Sequence, residues 1–370
     1  MEETNDKISG FQLSVITHFL TGAIFVGFGI ISMFSLAGRD LWISSIISFI
    51  VCIIPTTLLM YYLNYNPDQN LFQKNRSLFG KWIGTFVNII LSGYVFFMLL
   101  LVLWSSTGFA ITMYLIKTPS YFIAGIFVLV AAYATTKGIE TIGRTSEILA
   151  YLTIIILIIN IISLGTQINL DFFKPVLING ITPPIRHSLH FTSYLFTPLI
   201  MIAVIPKKNI VQNKKYKRYL IAGIYVGHFI MALTFTLITG VISSEIASFY
   251  RFPAYYVQRK VSIGGAINNL ENFLSLYWFF NTFLLITMAI YFLSKFFEDL
   301  FKIKSKKINS ITTYGISIVA GYLSLNLFKN TVDSIEFAKK SFPVFVSTTL
   351  LGLMIIINIA VFIKKRKKKA

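Results

Sequence analysis

The stretch Thr21-Gly22-Ala23-Ile24-Phe25-Val26-Gly27-Phe28-Gly29 sets three glycines within eight residues into the middle of an apolar run spanning 11–36. Each glycine weakens a helix by about 1 kcal/mol relative to alanine, so a helix begun near residue 11 is expected to be interrupted here. A second apolar run, 187–206, carries Ser193-Tyr194-Leu195-Phe196-Thr197-Pro198-Leu199, where Pro198 removes one backbone donor and restricts Thr197. Taken singly, glycines in apolar helices also serve as close-packing surfaces, and a lone proline also serves as a kink. Their positions in the first and sixth of ten such runs favour a paired function.

A helix needs about 20 apolar residues to cross about 30 Å of hydrocarbon, because only bonds within the segment satisfy its backbone there. Ten runs qualify, near 11–36, 41–63, 83–116, 118–136, 148–170, 187–206, 219–244, 272–294, 308–328 and 341–363, and none contains Asp, Glu, Lys or Arg. The third is long and reads as one tilted helix. The whole chain has 370 residues, 55% hydrophobic and 13% charged, with mean hydropathy +0.73. An average soluble domain is roughly 25% charged, so a water-soluble globule is excluded. The expectation is a single polytopic membrane domain over 1–370, all-α.

Net charge is +19, and its distribution carries a topology signal rather than a nucleic-acid signal. Ten spans put both termini on one side, where 23 Lys and Arg fall, against ten on the other. Positive charge accumulates on the cytoplasmic side, so both termini are expected there. The start Met1-Glu2-Glu3-Thr4-Asn5-Asp6 lacks a basic n-region and does not read as a cleaved signal peptide. The tail Lys364-Lys365-Arg366-Lys367-Lys368-Lys369 follows the last span and reads as an anchor against anionic lipid in the bilayer.

The two longest interhelical segments, 64–82 and 245–271, follow spans two and seven, five spans apart and on opposite faces. That is the spacing of a five-plus-five inverted repeat, a fold that holds ligands near the midplane where the first helix of each half is broken. Spans three and eight would complete such a pocket. Its expected ligand-binding residues are Gly22, Tyr94, Met98, Phe196, Thr197, Pro198, Asn281, Thr282 and Leu285, each also open to an ordinary packing role. A zwitterion such as an amino acid needs no charged side chain there, since one half-helix N-terminus takes its carboxylate and freed carbonyls take its ammonium.

Other chemistries lack their parts. Proton-driven transporters usually carry a membrane carboxylate, and none is present in the spans. His18, His187, His190 and His228 lie in or at the ends of spans and read as interfacial or neutral hydrogen-bonded histidines. The single cysteine, Cys52, has no disulfide partner within the chain, and no Cys/His set has zinc spacing, so neither metal nor cofactor is expected. His187, Ser188 and His190 are the one cluster with hydrolytic residue types, and a catalytic role is not expected of them at a span entrance.

Several short motifs appear in order along the ten spans: Ile8-Ser9-Gly10-Phe11-Gln12; Gly80-Lys81-Trp82-Ile83-Gly84 leading to Gly93-Tyr94; Gly138-Ile139-Glu140-Thr141-Ile142-Gly143-Arg144; Lys174-Pro175-Val176-Leu177; Phe252-Pro253; and Leu270-Glu271-Asn272-Phe273 to Trp278. On these the chain resembles the B subunits of bacterial spore germinant receptors, the permease-like spore germination proteins of the amino acid/polyamine/organocation superfamily. The resemblance implies a sensor subunit that assembles with an A subunit and a lipoprotein C subunit in the inner membrane of the dormant spore, recognises a nutrient, typically an amino acid, and triggers germination. It implies the same five-plus-five fold and puts family ligand positions at Gly22 and Phe196-Thr197-Pro198. The chain departs from the family where a Gly-x-Glu is common in the sixth span, having Pro198-Leu199-Ile200 instead. An amino-acid transporter of the same fold, and an ion or small-solute conduit within a complex, stand as alternatives.

Two segments between spans have local readings as well. Glu140 and Arg144 form an i,i+4 pair that would brace a cytoplasmic helix by about 0.3–0.5 kcal/mol. Residues 251–272 read as a partly amphipathic external cover with Gly264-Gly265 as its bend.

Overall fold

The computed structural model describes residues 7–24, 29–259 and 271–367. Its helices are, in chain order, α1 (Gly10–Ile24), α2 (Ile30–Ala37), α3 (Leu41–Val51), α4 (Ile53–Leu63), α5 (Leu71–Phe79), α6 (Lys81–Met113), α7 (Ser120–Thr136), α8 (Ile139–Gly165), α9 (Thr182–Phe196), α10 (Tyr216–Ile242), α11 (Ser244–Ala247), α12 (Pro253–Arg259), α13 (Glu271–Phe301), α14 (Lys306–Ser324), α15 (Thr331–Glu336), α16 (Phe342–Phe345) and α17 (Gly352–Lys367). The described residues of all ten apolar runs fall mainly on helix, and no strand occurs among the described residues. Seven helical stretches among the described residues are long and apolar enough to cross a membrane, while Gly10–Ile24 and Ser120–Thr136 are shorter apolar helices. The third run is one continuous helix of 33 residues.

Connections gather at two ends of the bundle. At one end Ile8 and residues 209–211 exchange backbone hydrogen bonds of 2.9 Å, the Lys207 N–H donates to the Pro67 carbonyl at 2.9 Å, and Lys364 donates to the Ser77 carbonyl. Arg76 pairs there with Asp299. At the other end Gly38, with φ of 55°, turns the chain between α2 and α3, Arg39 pairs with Glu245 at 2.7 Å, and the Leu177 N–H donates to Asp40 at 3.2 Å. Both described ends of the chain therefore lie at the same end of the bundle, as an even number of crossings requires. The Glu140–Arg144 pair forms, at 2.5 Å, on an exposed helix face where screening keeps its value small.

Helix packing carries the internal repeat. Helix α1 lies on α10, and five spans later α9 lies on α3. Helices α6 and α13 pack on each other, as do α7 and α14. The α6–α7 contact has its counterpart in α13–α14, and α6–α14 has its counterpart in α7–α13. Exchanging the first five spans for the last five maps α6–α13 and α7–α14 onto themselves and each of the other contacts onto its counterpart. Five is odd, so the second half enters from the opposite end and the halves are inverted.

The outer faces carry isoleucine, leucine and valine, with Ile154, Ile155, Ile158 and Ile162 of α8 all exposed. The inner faces carry small and hydroxylated residues, among them Ser44, Ser45 and Ser48 of α3. This is the distribution lipid selects, since tails solvate aliphatic side chains while close helix contacts need small ones. The closest contact is between α1 and α10. A Cβ at Gly223 would lie 2.3 Å from the Ser14 carbonyl oxygen, and one at Gly227 would lie 2.9 Å from that of His18.

One cation is sealed into this framework. Lys74 of α5 is 2% exposed and donates to the Leu63 carbonyl at 3.0 Å, its ammonium 5.5 Å from the Tyr62 ring. Burial pushes its ammonium down to about 8, against a smaller opposing pull from Asp68.

Two predictions follow from the packing. Gly227→Leu, which drives a side chain into backbone, should cost about 1–3 kcal/mol and lower the melting temperature in detergent; Gly93→Ala, where a Cβ meets nothing within 4 Å, should leave it unchanged or slightly higher. Between pH 8 and the ordinary lysine value of 10.5 the unfolded chain binds more protons than the folded one, so stability should rise with pH across that window. Lys74→Met should flatten that rise in a melting series, and a slope equal to that of the parent would contradict the assignment.

Candidate functional site

Four elements meet at the centre of the bundle: α1, α6, α13 and the segment Thr197–Val204 that continues α9. Eight of the nine sequence-predicted residues lie on them, and the ninth, Phe196, ends α9 just before Thr197. The first expected break reads differently in its two parts. Helix α1 runs to Ile24 and α2 starts at Ile30, while Phe25, Val26, Gly27 and Phe28 lie outside the described residues. At the sixth span the chain does not open into a gap. The α-helix tightens at Thr197 into a 3₁₀ helix that runs to Val204. Pro198 supplies no N–H, and the tighter i→i+3 pattern re-pairs the backbone beyond it without leaving the helical path.

The structure brings the nine residues together as two clusters. In one, a Cβ at Gly22 would lie 3.4 Å from Asn281 Oδ1 and 3.1 Å from Met231 Cε, so the absent methyl keeps the Asn281 amide against the α1 backbone. Asn281 Nδ2 donates to the Tyr277 carbonyl at 2.8 Å, while its Oδ1 is buried with no partner. Thr282, beside it, returns its hydroxyl to the Trp278 carbonyl at 3.1 Å. Leu285 continues the Tyr277–Asn281 stripe one turn on and is buried. In the other cluster the Tyr94 phenol faces the Thr197 side chain without a properly formed hydrogen bond, and its ring stacks on Phe345 at 5.3 Å. The Thr197 hydroxyl donates to the Ser193 carbonyl at 2.5 Å. Met98 and Phe196 are buried, as is Pro198.

Buried polar atoms without partners are uncommon because each forfeits its hydration. Two such atoms, Asn281 Oδ1 and Tyr94 Oη, sit on the two predicted clusters. The series continues outward from Asn281 through Tyr277, whose hydroxyl faces Asn281 without a properly formed hydrogen bond. Tyr277 and Met231 line a cavity in the half of the bundle nearest Arg39 and Glu245, together with Asn160, Arg251, Gln258 and Trp278. None of the nine predicted residues lines that cavity. Sequence reasoning did not single out Asn160, although an asparagine inside an apolar run was its available signal; Met231 carried none.

Hydrolytic chemistry has no geometry. The Ser188 hydroxyl donates to the Ile185 carbonyl at 2.6 Å, while His187 and His190 stand 5.9 Å apart ring to ring. His228 is held by the Ser48 hydroxyl at 2.6 Å and stacks on Phe49 at 3.8 Å, a structural arrangement between α3 and α10. Among the described residues no cluster of His, Cys, Asp or Glu is suited to a metal ion.

The contrast between two tyrosines gives a direct test. The Tyr194 hydroxyl donates to the Ala338 carbonyl at 2.8 Å and sits 3.0 Å from the Ser32 hydroxyl, tying three spans together. Tyr194→Phe should therefore cost about 1–2 kcal/mol in melting experiments. Tyr94→Phe, which removes an unpaired hydroxyl, should leave stability within about 0.5 kcal/mol of the parent.

Comparison with known proteins agrees with this architecture. The chain is 25% identical over 351 residues to spore germination protein KB of Bacillus subtilis (strain 168), covering 91% of this chain and 90% of that one. It is 25% identical over 287 residues to spore germination protein XB of Bacillus anthracis, covering 77% and 79%. Among solved structures it is similar to MhsT in complex with L-phenylalanine, with TM-score 0.55 and 14% identity over 96% of this chain and 98% of that one. The manganese transporter of Eremococcus coleocola gives TM-score 0.57 at 14% identity, covering 94% and 78%. At that identity these two show the fold alone, the LeuT fold of transporters with its inverted five-helix halves. The relatives are permease-like germination proteins rather than enzymes. The profile of the spore germination protein family matches residues 7–332, and the chain is a membrane protein belonging to that family.

Proposed function

We propose that this chain is the permease-like B subunit of a germinant receptor in the inner membrane of the spore, sensing an amino acid and triggering germination together with A and C subunits. The observation that carries the reading is the central layer itself: unpaired polar atoms on Asn281, which packs against Gly22, and on Tyr94, inside spans free of charged side chains. Such a layer has hydrogen-bonding capacity for a small zwitterion and no fixed charge to oppose one. Gly22, Tyr94, Met98, Phe196, Thr197, Pro198, Asn281, Thr282 and Leu285 form the ligand site in this reading. MhsT, a structure of the same fold, was solved with L-phenylalanine, which makes an amino acid the natural first ligand class. Both termini are cytoplasmic, in keeping with the excess of Lys and Arg in the connections at their end of the bundle.

A transporter is the competing reading, favoured by the shared fold. It is opposed by the lack of a titrating carboxylate in the spans, which proton coupling would use. Spores lacking this chain, challenged with single amino acids, should lose the response to at least one. A host expressing it should fail to concentrate the same labelled compound. Gly22→Leu, whose side chain would strike Met231 and Asn281, should abolish the response at normal protein level. Concentrative uptake with unaltered germination would make the chain a permease instead.

A further inference from the structure

The cavity beyond Asn281 has a chemical character of its own. Helices α2, α8 and α10 give it aliphatic walls, including Ile30, Leu157, Leu164, Leu237 and Ile238, α13 adds Ser275, Tyr277 and Trp278, and α12 closes one side. Into these walls are set polar groups that nothing in the described structure satisfies. Asn160 Nδ2 and Trp278 Nε1 are donors without acceptors, Gln258 Oε1 is an acceptor without a donor, and all three residues are at most 5% exposed. Burying such groups unpaired costs stability, and three of them around one cavity is the pattern of a site built for a polar guest.

The cavity also holds one cation. Arg251 precedes α12, and its guanidinium carbon lies 4.9 Å from the Trp104 ring and 5.0 Å from the Phe252 ring. Its far end rests against Gly108, where a Cβ would stand 2.6 Å from a guanidinium nitrogen. The aromatic faces and the missing side chain hold the fork in position. No ion pair or hydrogen bond to it occurs among the described residues, and burial lowers its pKa from the ordinary arginine value. Arginine keeps its charge in proteins, so this is a fixed and uncompensated positive group. No acidic side chain lines the cavity, which disfavours a guest of net positive charge.

We propose that this cavity binds an α-amino acid with an apolar side chain, its carboxylate on the Arg251 guanidinium, its ammonium on Gln258 Oε1 and its side chain against the aliphatic wall. A planar carboxylate fits the arginine fork through two parallel bonds, and the aliphatic wall sets the preference for an apolar guest. The site adjoins the central layer through Met231 and Tyr277, so a ligand held here stands one helical turn from Asn281. The inference rests on the sensor reading for its purpose, but not for its test.

That test uses the full-length chain in lipid nanodiscs, followed by tryptophan emission because Trp278 lines the cavity and Trp104 stacks on Arg251. L-leucine, its deaminated carboxylate and its decarboxylated amine are titrated in turn. L-leucine should saturate, the carboxylate should bind more weakly, and the amine should give no saturable change. Arg251→Gln should raise the Kd for L-leucine about tenfold or more, and Arg251→Lys, which keeps the charge and loses the fork, should fall between. Gln258→Leu should weaken L-leucine while leaving the deaminated carboxylate within about twofold. Gly93→Ala, outside both sites and with nothing within 4 Å of the added Cβ, should leave the Kd for L-leucine within about twofold. Loss of binding in Thr197→Ala with none in Arg251→Gln would put the ligand in the central layer, keeping the sensor reading and overturning this one. Binding of the amine as tight as that of L-leucine, or no saturable change with any of the three by folded protein, would overturn it as well.

Discussion

The bundle depends on the contact in which α1 and α10 bring their backbones together. Gly223 and Gly227 lie four residues apart on one face of α10, and their missing side chains let the Ser14 and His18 carbonyls of α1 approach that face. In lipid there is no hydrophobic force between helices, so association comes from close packing of this kind. The contact fixes the depth and rotation of α1, and with it the position of Gly22 one turn beyond His18. Met231, one turn beyond Gly227 on α10, then meets Gly22 from the other side.

The same economy explains the treatment of polar groups. Most hydroxyls in the interior return to a carbonyl three or four residues back, as Thr17, Thr21, Thr197 and Thr282 do, which removes them from play without a partner helix. Against that background the unpaired atoms of Asn281, Tyr94, Tyr277, Gln258, Trp278 and Asn160 stand out. They run from the central layer into the adjoining cavity, while other unpaired buried atoms, among them Trp42 Nε1, Thr192 Oγ1 and Asn358 Oδ1, belong to neither. Charged pairs are confined to the ends, Arg39 with Glu245 at one and Arg76 with Asp299 at the other. Arg251 is the cation that breaks this segregation, since it points inward with two aromatic rings about it.

The fold was largely legible in the sequence because its signals are local. Apolar runs free of charge mark helices, and the long connections after spans two and seven mark the repeat. The helix switch at Pro198 was legible in place but not in form, since proline forbids one hydrogen bond and says nothing of how the backbone re-pairs around it. Gly22 was legible as a weak point in a helix, whereas its role in admitting Asn281 depends on a residue more than 250 positions away.

Sequence alone therefore determined that the chain is a membrane protein, that its helices repeat in two halves, and which four spans meet at the middle. These follow from chain-local quantities: hydropathy, length, charge and the breaking of helices. Only the tertiary structure decided that the predicted residues divide into two clusters, that a separate cavity lies beyond them, and that Arg251 faces it. Those depend on which side chains find partners across helices, and a hydrogen bond left unmade is a property of packing that no single segment carries.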